Sequence, residues 1–302
     1  MDVVVTGGAG FIASHLVKKL LSRGNKVSVF DDLSTGNVRN VPAGAHLIVG
    51  SVLDKNALSH AFQDTDYVFH LAAIASVPLS VEEPELTHRV NVEGTRLVLE
   101  AASEAVVKKV IFASSSSVYG DSAEPTQDED TSTNPLSPYA RSKLEAEVLC
   151  SDYRLSRGLS TVCLRYFNVY GEGQNADSGH ALVIPAFIKS ARANVPLVIY
   201  GDGKQTRDFI YIEDVVDATI HAAESSMTGI YNIGSGESTS INVLAAKVIK
   251  LTMSNSRLLF KGTREGDPEH TRAGTKKVEL AGFTPSWTLT AGLRRMIENV
   301  SS

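Results

Sequence analysis

Short apolar runs recur along the first half of the chain: Val3-Val4-Val5, Val27-Ser28-Val29-Phe30, Leu47-Ile48-Val49, Tyr67-Val68-Phe69, Val110-Ile111-Phe112 and Thr161-Val162-Cys163-Leu164. Between them lie Ser14–Ser22, Leu86–Ala105 and Pro138–Tyr153, where apolar residues return at helical spacing. A strand with one solvated face alternates apolar and polar residues, whereas a run apolar throughout buries both faces. Such runs alternating with helices predict an α/β fold, a Rossmann-type doubly wound parallel sheet covered on both sides, over residues 1–170. After Gly171 the pattern loosens. Strands are expected at Leu197–Tyr200, Phe209–Ile212 and Ile230–Ile233, and helices at Val215–Ala223 and Val243–Leu251. These predict a smaller C-terminal α/β lobe over residues 171–302, with elements around 207–223 returning to the first domain. The acidic, proline-containing stretch Asp121–Pro135 is expected to be an exposed loop.

Composition changes this picture little. Of 302 residues, 43% are hydrophobic and 21% charged, as in ordinary globular chains. The net charge of −5, without a dense basic run, argues against nucleic acid as a partner. No apolar run approaches the roughly 18 residues of a membrane span, and the first residues lack the basic start of a signal peptide. Cys150 and Cys163 have no metal-ligand spacing and read as reduced thiols. The expectation is a cytoplasmic protein without a bound metal.

Three stretches carry chemistry. "TGGAGFIASH", residues 6–15, follows the first strand and opens a helix. Gly7, Gly10 and Ala13 keep a spacing in which glycines let the backbone turn tightly against a pyrophosphate, and the helix N-terminus receives its charge. The next strand ends at Asp31-Asp32, where an acid can accept from an adenosine ribose and favours NAD over its phosphorylated form. In "SPYARSK", Ser137 and Pro138 predict an N-cap and first helical position, so Tyr139 lies in the first turn with Lys143 on the same face. A tyrosine titrates near pH 10. A nearby ammonium, helped by a cationic nicotinamide, is expected to lower that value. The third stretch is odd. Four serines, Ser114 to Ser117, close the apolar fifth strand, although buried hydroxyls without partners are costly. In an open α/β sheet ligands bind beyond the carboxyl ends of the strands, so these hydroxyls are expected to face nicotinamide and substrate beside Tyr139, except where one serves only the local backbone.

These motifs occur in order with "HLAA" (70–73), "LRYFNVYG" (164–171), "RDFIYIEDV" (207–215) and "REGDPEHT" (264–271). Together they resemble the extended short-chain dehydrogenase/reductases, and among them the nucleotide-sugar 4-epimerases of the UDP-glucose/UDP-galactose 4-epimerase type. The resemblance implies Tyr139 as base, Lys143 as its partner on the nicotinamide ribose and Ser115, four residues before Tyr119, as third catalytic hydroxyl. It implies cofactor contacts at Gly7, Gly10, Phe11, Ile12, Asp31, Asp32, Ser51, Val52, Leu71, Ala72, Ala73, Asn91, Ser114 and Tyr166. Ser51 stands where the family often has an acid near the adenine. Implied substrate contacts are Ser115, Ser116, Asn168, Val183, Tyr200, Arg207, Arg264, Asp267 and Thr271, with Asn168 and Arg264 on the diphosphate, Tyr200 beside the uracil and Asp267 on the uridine ribose.

Reaction type is read from what the resemblance lacks. Sugar dehydratases of this superfamily carry an Asp-Glu pair just after the catalytic hydroxyl, and decarboxylases usually keep the glutamate. Ser116 and Ser117 stand there instead and cannot do acid–base work at neutral pH. What remains is oxidation and reduction at one carbon, for which the resemblance implies a 4-epimerase of UDP-hexoses with NAD held throughout. Thr271 is small where a tyrosine closes the pocket in relatives that exclude N-acetylhexosamines, so UDP-GlcNAc and UDP-GalNAc are expected to be accepted. The alternatives are a reductase or an epimerase at another carbon, and a non-catalytic regulator that binds NAD or a nucleotide sugar. The resemblance also implies a homodimer through Leu86–Ala105 and Pro138–Tyr153.

Overall fold

In the computed structural model, which describes residues 1–174, 182–263 and 268–299, all six predicted apolar runs become strands. They are β1 (Asp2–Thr6), β2 (Lys26–Asp31), β3 (His46–Val49), β4 (Tyr67–His70), β5 (Lys109–Ser115) and β6 (Thr161–Tyr166). A seventh, β7 (Gly229–Ile233), joins them in one parallel sheet of order β7-β6-β5-β4-β1-β2-β3. β7 was expected in the smaller lobe. Instead it pairs with β6 from Gly229↔Val162 to Ile233↔Tyr166, and helix Ile212–Glu224 packs on helix Phe11–Ser22 beside the sheet.

Alternation along each strand feeds two cores. Val3, Val5, Val29, Phe69, Ile111 and Leu164 join one, which takes in Leu16 and Leu20 of helix Phe11–Ser22 and Val215 of helix Ile212–Glu224. Val4, Phe30, Val68, Val110, Phe112 and Cys163 join the other, with Val98, Leu99, Ala146 and Cys150 from helices Gly94–Glu104 and Pro138–Arg157. Both faces of the central strands are therefore dry, which is why their runs are apolar throughout, whereas the edge strand β3 is only half covered and Val49 is exposed, contrary to the expectation of full burial.

The expected helix over Leu86–Ala105 is built in three pieces. Pro84–His88 is followed by a widened π turn, Arg89–Glu93, and then by Gly94–Glu104. The π turn holds Asn91 inside. Beyond the main sheet, short strand pairs couple Asn168–Tyr170 to Phe209–Tyr211, Thr206–Arg207 to Thr239–Ser240, and Leu197–Tyr200 to Leu258–Lys261. Residues 121–135 are irregular as expected, but not exposed throughout. Gln127 is buried, because it bridges to Ala273. Among the described residues no helix is long and apolar enough to cross a membrane.

Candidate active site

Strand order reverses between β1 and β4, and there the carboxyl ends of the strands open onto a cleft of about 1170 Å³. That exceeds the roughly 300–1000 Å³ typical of a single drug-sized ligand, leaving room for a cofactor and a substrate together.

The cofactor end is shaped by backbone. Gly7 has φ +69°, and a Cβ there would lie 2.7 Å from Cα of Ala72. Only glycine fits. The helix beginning at Phe11 has no side-chain cap, so its first amides are free for an anion at the cleft. Asp31 Oδ2 accepts from the Ala9 amide at 2.9 Å and Oδ1 from Leu33 at 2.8 Å, so one carboxylate fastens the glycine loop to the turn after β2. Asp32 Oδ1 accepts from both the amide and the hydroxyl of Ser34. Glycine cradle, uncapped helix and paired acids fit a dinucleotide with an unphosphorylated ribose. His70 of "HLAA" is no catalyst: buried between Thr6 Oγ1 at 2.7 Å and Thr95 Oγ1 at 2.9 Å, it is held neutral by burial, its pKa pushed down to about 3.

The reactive end is set by one helix and one strand. Ser137 caps helix Pro138–Arg157, its Oγ accepting from the Ala140 amide at 3.1 Å. The Tyr139 amide donates to Ser80 Oγ at 3.1 Å, which fixes the first turn from the side. Lys143 Nζ donates to the Ala113 carbonyl at 2.9 Å and lies 6.0 Å from the centre of the Tyr139 ring. Burial holds Lys143 down at about 8, with Cys150, Glu147 and Cys163 acting in the other direction. The expected lowering of the Tyr139 pKa by the Lys143 ammonium does not appear: burial pushes the phenol up, and the Ser115 hydroxyl beside it, not Lys143, pulls the other way. The second expected cause, a cationic nicotinamide, would come from NAD.

The four serines have separate employments. Ser114 Oγ donates to Glu147 Oε1 at 2.5 Å, so its hydroxyl serves the protein although the residue lines the cleft. Ser115 faces Tyr139 and also accepts from the Ser117 amide at 3.2 Å. Ser116 and Ser117 line the cleft, and the Ser117 hydroxyl is buried without a protein partner.

Of the remaining expected contacts, Gly10, Phe11, Ile12, Val52, Leu71, Ala72, Ala73, Tyr166, Asn168, Val183, Arg207 and Thr271 all line the cleft. Three do not. Ser51 turns its hydroxyl to the Leu53 amide at 3.2 Å. Asn91 spends its side chain on the Ile74 amide and carbonyl and on Ser142 Oγ, so it supports the cleft wall from behind. Tyr200, paired in register with Lys261, ends a strand outside the lining. Arg264 and Asp267 lie outside the described residues. Sequence reasoning missed Ser34, Thr35 and Gly36 after β2, and Ile74, Val77, Pro78 and Gln174. A Ser-Thr-Gly turn directly after the two acids was a usable signal for the first three.

A family model described as the NAD dependent epimerase/dehydratase family matches residues 3–234. The UDP-N-acetyl-alpha-D-glucosaminuronate decarboxylase of Bacillus cytotoxicus is 38% identical, covering 98% of this chain and 96% of its own. Two solved structures are equally similar over the full length. UDP-glucose 4-epimerase of Thermotoga maritima with UDP-glucose has a TM-score of 0.96 at 35% identity, covering 100% of this chain and 99% of that one. UDP-N-acetylglucosamine 4-epimerase of Methanobrevibacter ruminantium, in complex with UDP-N-acetylmuramic acid, has a TM-score of 0.95 at 39% identity, covering 99% and 98%. Such coverage extends to both ends of the cleft as well as to the sheet. With its glycine cradle, its acids after β2 and its Tyr139/Lys143 helix, the chain belongs to the NAD-dependent epimerase/dehydratase family, and its cofactor is NAD.

Proposed function

We propose that the protein is a UDP-hexose 4-epimerase, acting on UDP-glucose and UDP-galactose and also on UDP-GlcNAc and UDP-GalNAc. One observation supports this reading over the elimination that a dehydratase performs, and, because decarboxylases resembling this chain usually keep a glutamate after the catalytic hydroxyl, it also speaks against decarboxylation. The carboxylates lining the described cleft are Asp31 and Asp32, both at the end of β2 and away from Tyr139, while Ser116 and Ser117 follow the catalytic hydroxyl. Among the described residues no carboxylate stands beside Tyr139 to take a proton from C5 or deliver one to a leaving group.

Bound NAD supplies the acceptor, and then the donor, of the hydrogen at C4. Tyr139, as phenolate, takes the proton of the C4 hydroxyl, directly or through Ser115, and returns it once the transient 4-keto sugar has presented its opposite face. Lys143 holds the positive charge that stabilises the phenolate. Asn168 contacts the diphosphate, and Arg207 lies near the nucleotide. The free hydroxyl of Ser117 offers a donor and an acceptor to the sugar. Thr271, small and in the lining, leaves space for a 2-acetamido group.

A homodimer is part of the proposal. Val148 and Leu155 on helix Pro138–Arg157, and Leu86 before the π turn, expose apolar surface that a second copy would cover.

The test is to incubate purified protein with UDP-galactose, UDP-GlcNAc and UDP-glucuronate separately, without added cofactor, following products by NMR. Formation of the C4 epimers of the first two supports the reading. Release of carbon dioxide from the third would replace it with decarboxylation.

A further inference from the structure

Loop 121–135 leaves the cleft at Gly120 and returns to it at Leu136, both of which line it. Gly120 takes φ +63°, and a Cβ there would overlap the Asn134 carbonyl, so the two feet of the loop are pinned together. Between them Gln127 is buried, at 2% exposure, and each of its polar groups is engaged. Its amide donates to the Arg272 carbonyl at 2.8 Å, and its side-chain oxygen accepts from the Arg272 amide at 2.9 Å. Its carbonyl accepts from the Gly274 amide at 2.8 Å and from Asn232 Nδ2 at 2.8 Å. Its Nε2 donates to the Glu124 carbonyl at 2.9 Å.

Three of these bonds fall on the segment immediately after Thr271. That segment has no regular strand of its own, only isolated bridges, so these bonds stand in for a sheet. From the other side Asp208 Oδ2 accepts from the Ala273 amide at 3.0 Å, and the Thr206 carbonyl accepts from the Thr271 amide at 3.2 Å. Thr271 is thus held in the cleft wall, with Asn168 Nδ2 3.4 Å from its hydroxyl. The brace continues to the reactive end. Tyr119 donates to Asn232 Oδ1 at 2.7 Å, Arg165 lies 4.7 Å over the Tyr119 ring, and Arg165 pairs with Glu147 on the helix of Tyr139 and Lys143.

We infer that Gln127 is a specificity-determining positioning residue: by fixing the main chain at Arg272 it sets how far Thr271 stands from the reactive end, and so which substituent on the sugar fits. This rests on the reading of the cleft as a UDP-sugar site. Without the Gln127 side chain the Arg272 amide loses its buried acceptor, and the segment shifts to find another.

The test compares NAD-loaded wild type with Gln127→Leu, which fills the same space without polar atoms, and Gln127→Glu, which keeps an acceptor for Arg272. Dissociation constants for UDP-glucose and UDP-GlcNAc are measured by calorimetry, alongside kcat and KM for each sugar. The expected result is a change of roughly tenfold in the ratio of the two affinities in Gln127→Leu, seen in KM rather than kcat, and its recovery in Gln127→Glu. Equal weakening of both sugars, or a lower melting temperature with the ratio intact, would overturn the inference and leave the UDP-sugar reading standing. Wild type that binds neither sugar would overturn both. Should the leucine variant not fold, Gln127→Met carries the same expectation.

Discussion

Lys143 Nζ donates to the carbonyl oxygen of Ala113 at 2.9 Å, joining the helix that carries Tyr139 to the strand that carries Ser115. The lysine is buried, so its charge is little screened by solvent, and the proposed mechanism uses the same side chain that ties the helix to the strand. Several consequences can be measured.

In the proposed mechanism the hydroxyl of Tyr139 moves the substrate's proton. Tyr139→Phe removes it without disturbing the helix cap at Ser137 or the bond from the Tyr139 amide to Ser80. Turnover should fall roughly a thousandfold or more, while the NAD released on denaturation and the melting temperature match wild type. Near-normal turnover in this variant would remove Tyr139 from the mechanism.

Lys143 makes stability depend on pH with a definite sign. Its value is lowered from 10.5 to about 8 by burial. Above the unfolded value the group is neutral in both states and imposes no cost. As pH falls from about 10.5 toward 8 the unfolded chain takes up the proton while the buried lysine stays neutral, so stability is lost progressively, and below about 8 the loss is complete. Wild type should therefore gain about 2 kcal/mol relative to Lys143→Met between pH 8 and 10. Urea titrations of the cofactor-free proteins at several pH values would measure the gap, and parallel pH profiles would contradict the assignment.

Glu147 and Arg165 form a buried ion pair of 2.7 Å, with Ser114 Oγ on the same carboxylate. Removing one partner leaves the other charged and alone, at a cost of about 3–5 kcal/mol. Arg165→Met or Glu147→Gln should each lower the denaturation midpoint strongly. The double variant should cost less than the sum of the two. Additive losses would mean that the charges act independently.

Much of this was legible in the chain. Val3-Val4-Val5 and most of its counterparts read as short strands buried on both faces, although Leu47-Ile48-Val49, at the sheet edge, is only partly covered. Gly7, Ser137 and Pro138 announce local backbone states, and local states can be read from local residues. What could not be read depends on partners far along the chain. Gly229–Ile233 looks like any short strand until β6 accepts it as a neighbour. Asn91 has the chemistry of a ligand contact, but Ile74 and Ser142 claim its amide. Gln127 sits in an acidic loop with every appearance of exposure, and partners more than a hundred residues on, Asn232, Arg272 and Gly274, draw it inside. Tyr139 lies in the first turn of its helix and in the cleft lining as expected, but the effect of burial on its phenol depends on packing that no motif describes.

The central claim is that chemistry occurs at C4 alone, because no carboxylate flanks Tyr139 and Ser115 in the described cleft. Running the reaction on UDP-galactose and UDP-GlcNAc in deuterium oxide tests this most directly, with proton NMR of the recovered sugars. The account predicts C4 epimers that keep their original hydrogens at both C4 and C5. Deuterium at C5, or loss of the C4 hydrogen to solvent, would contradict it.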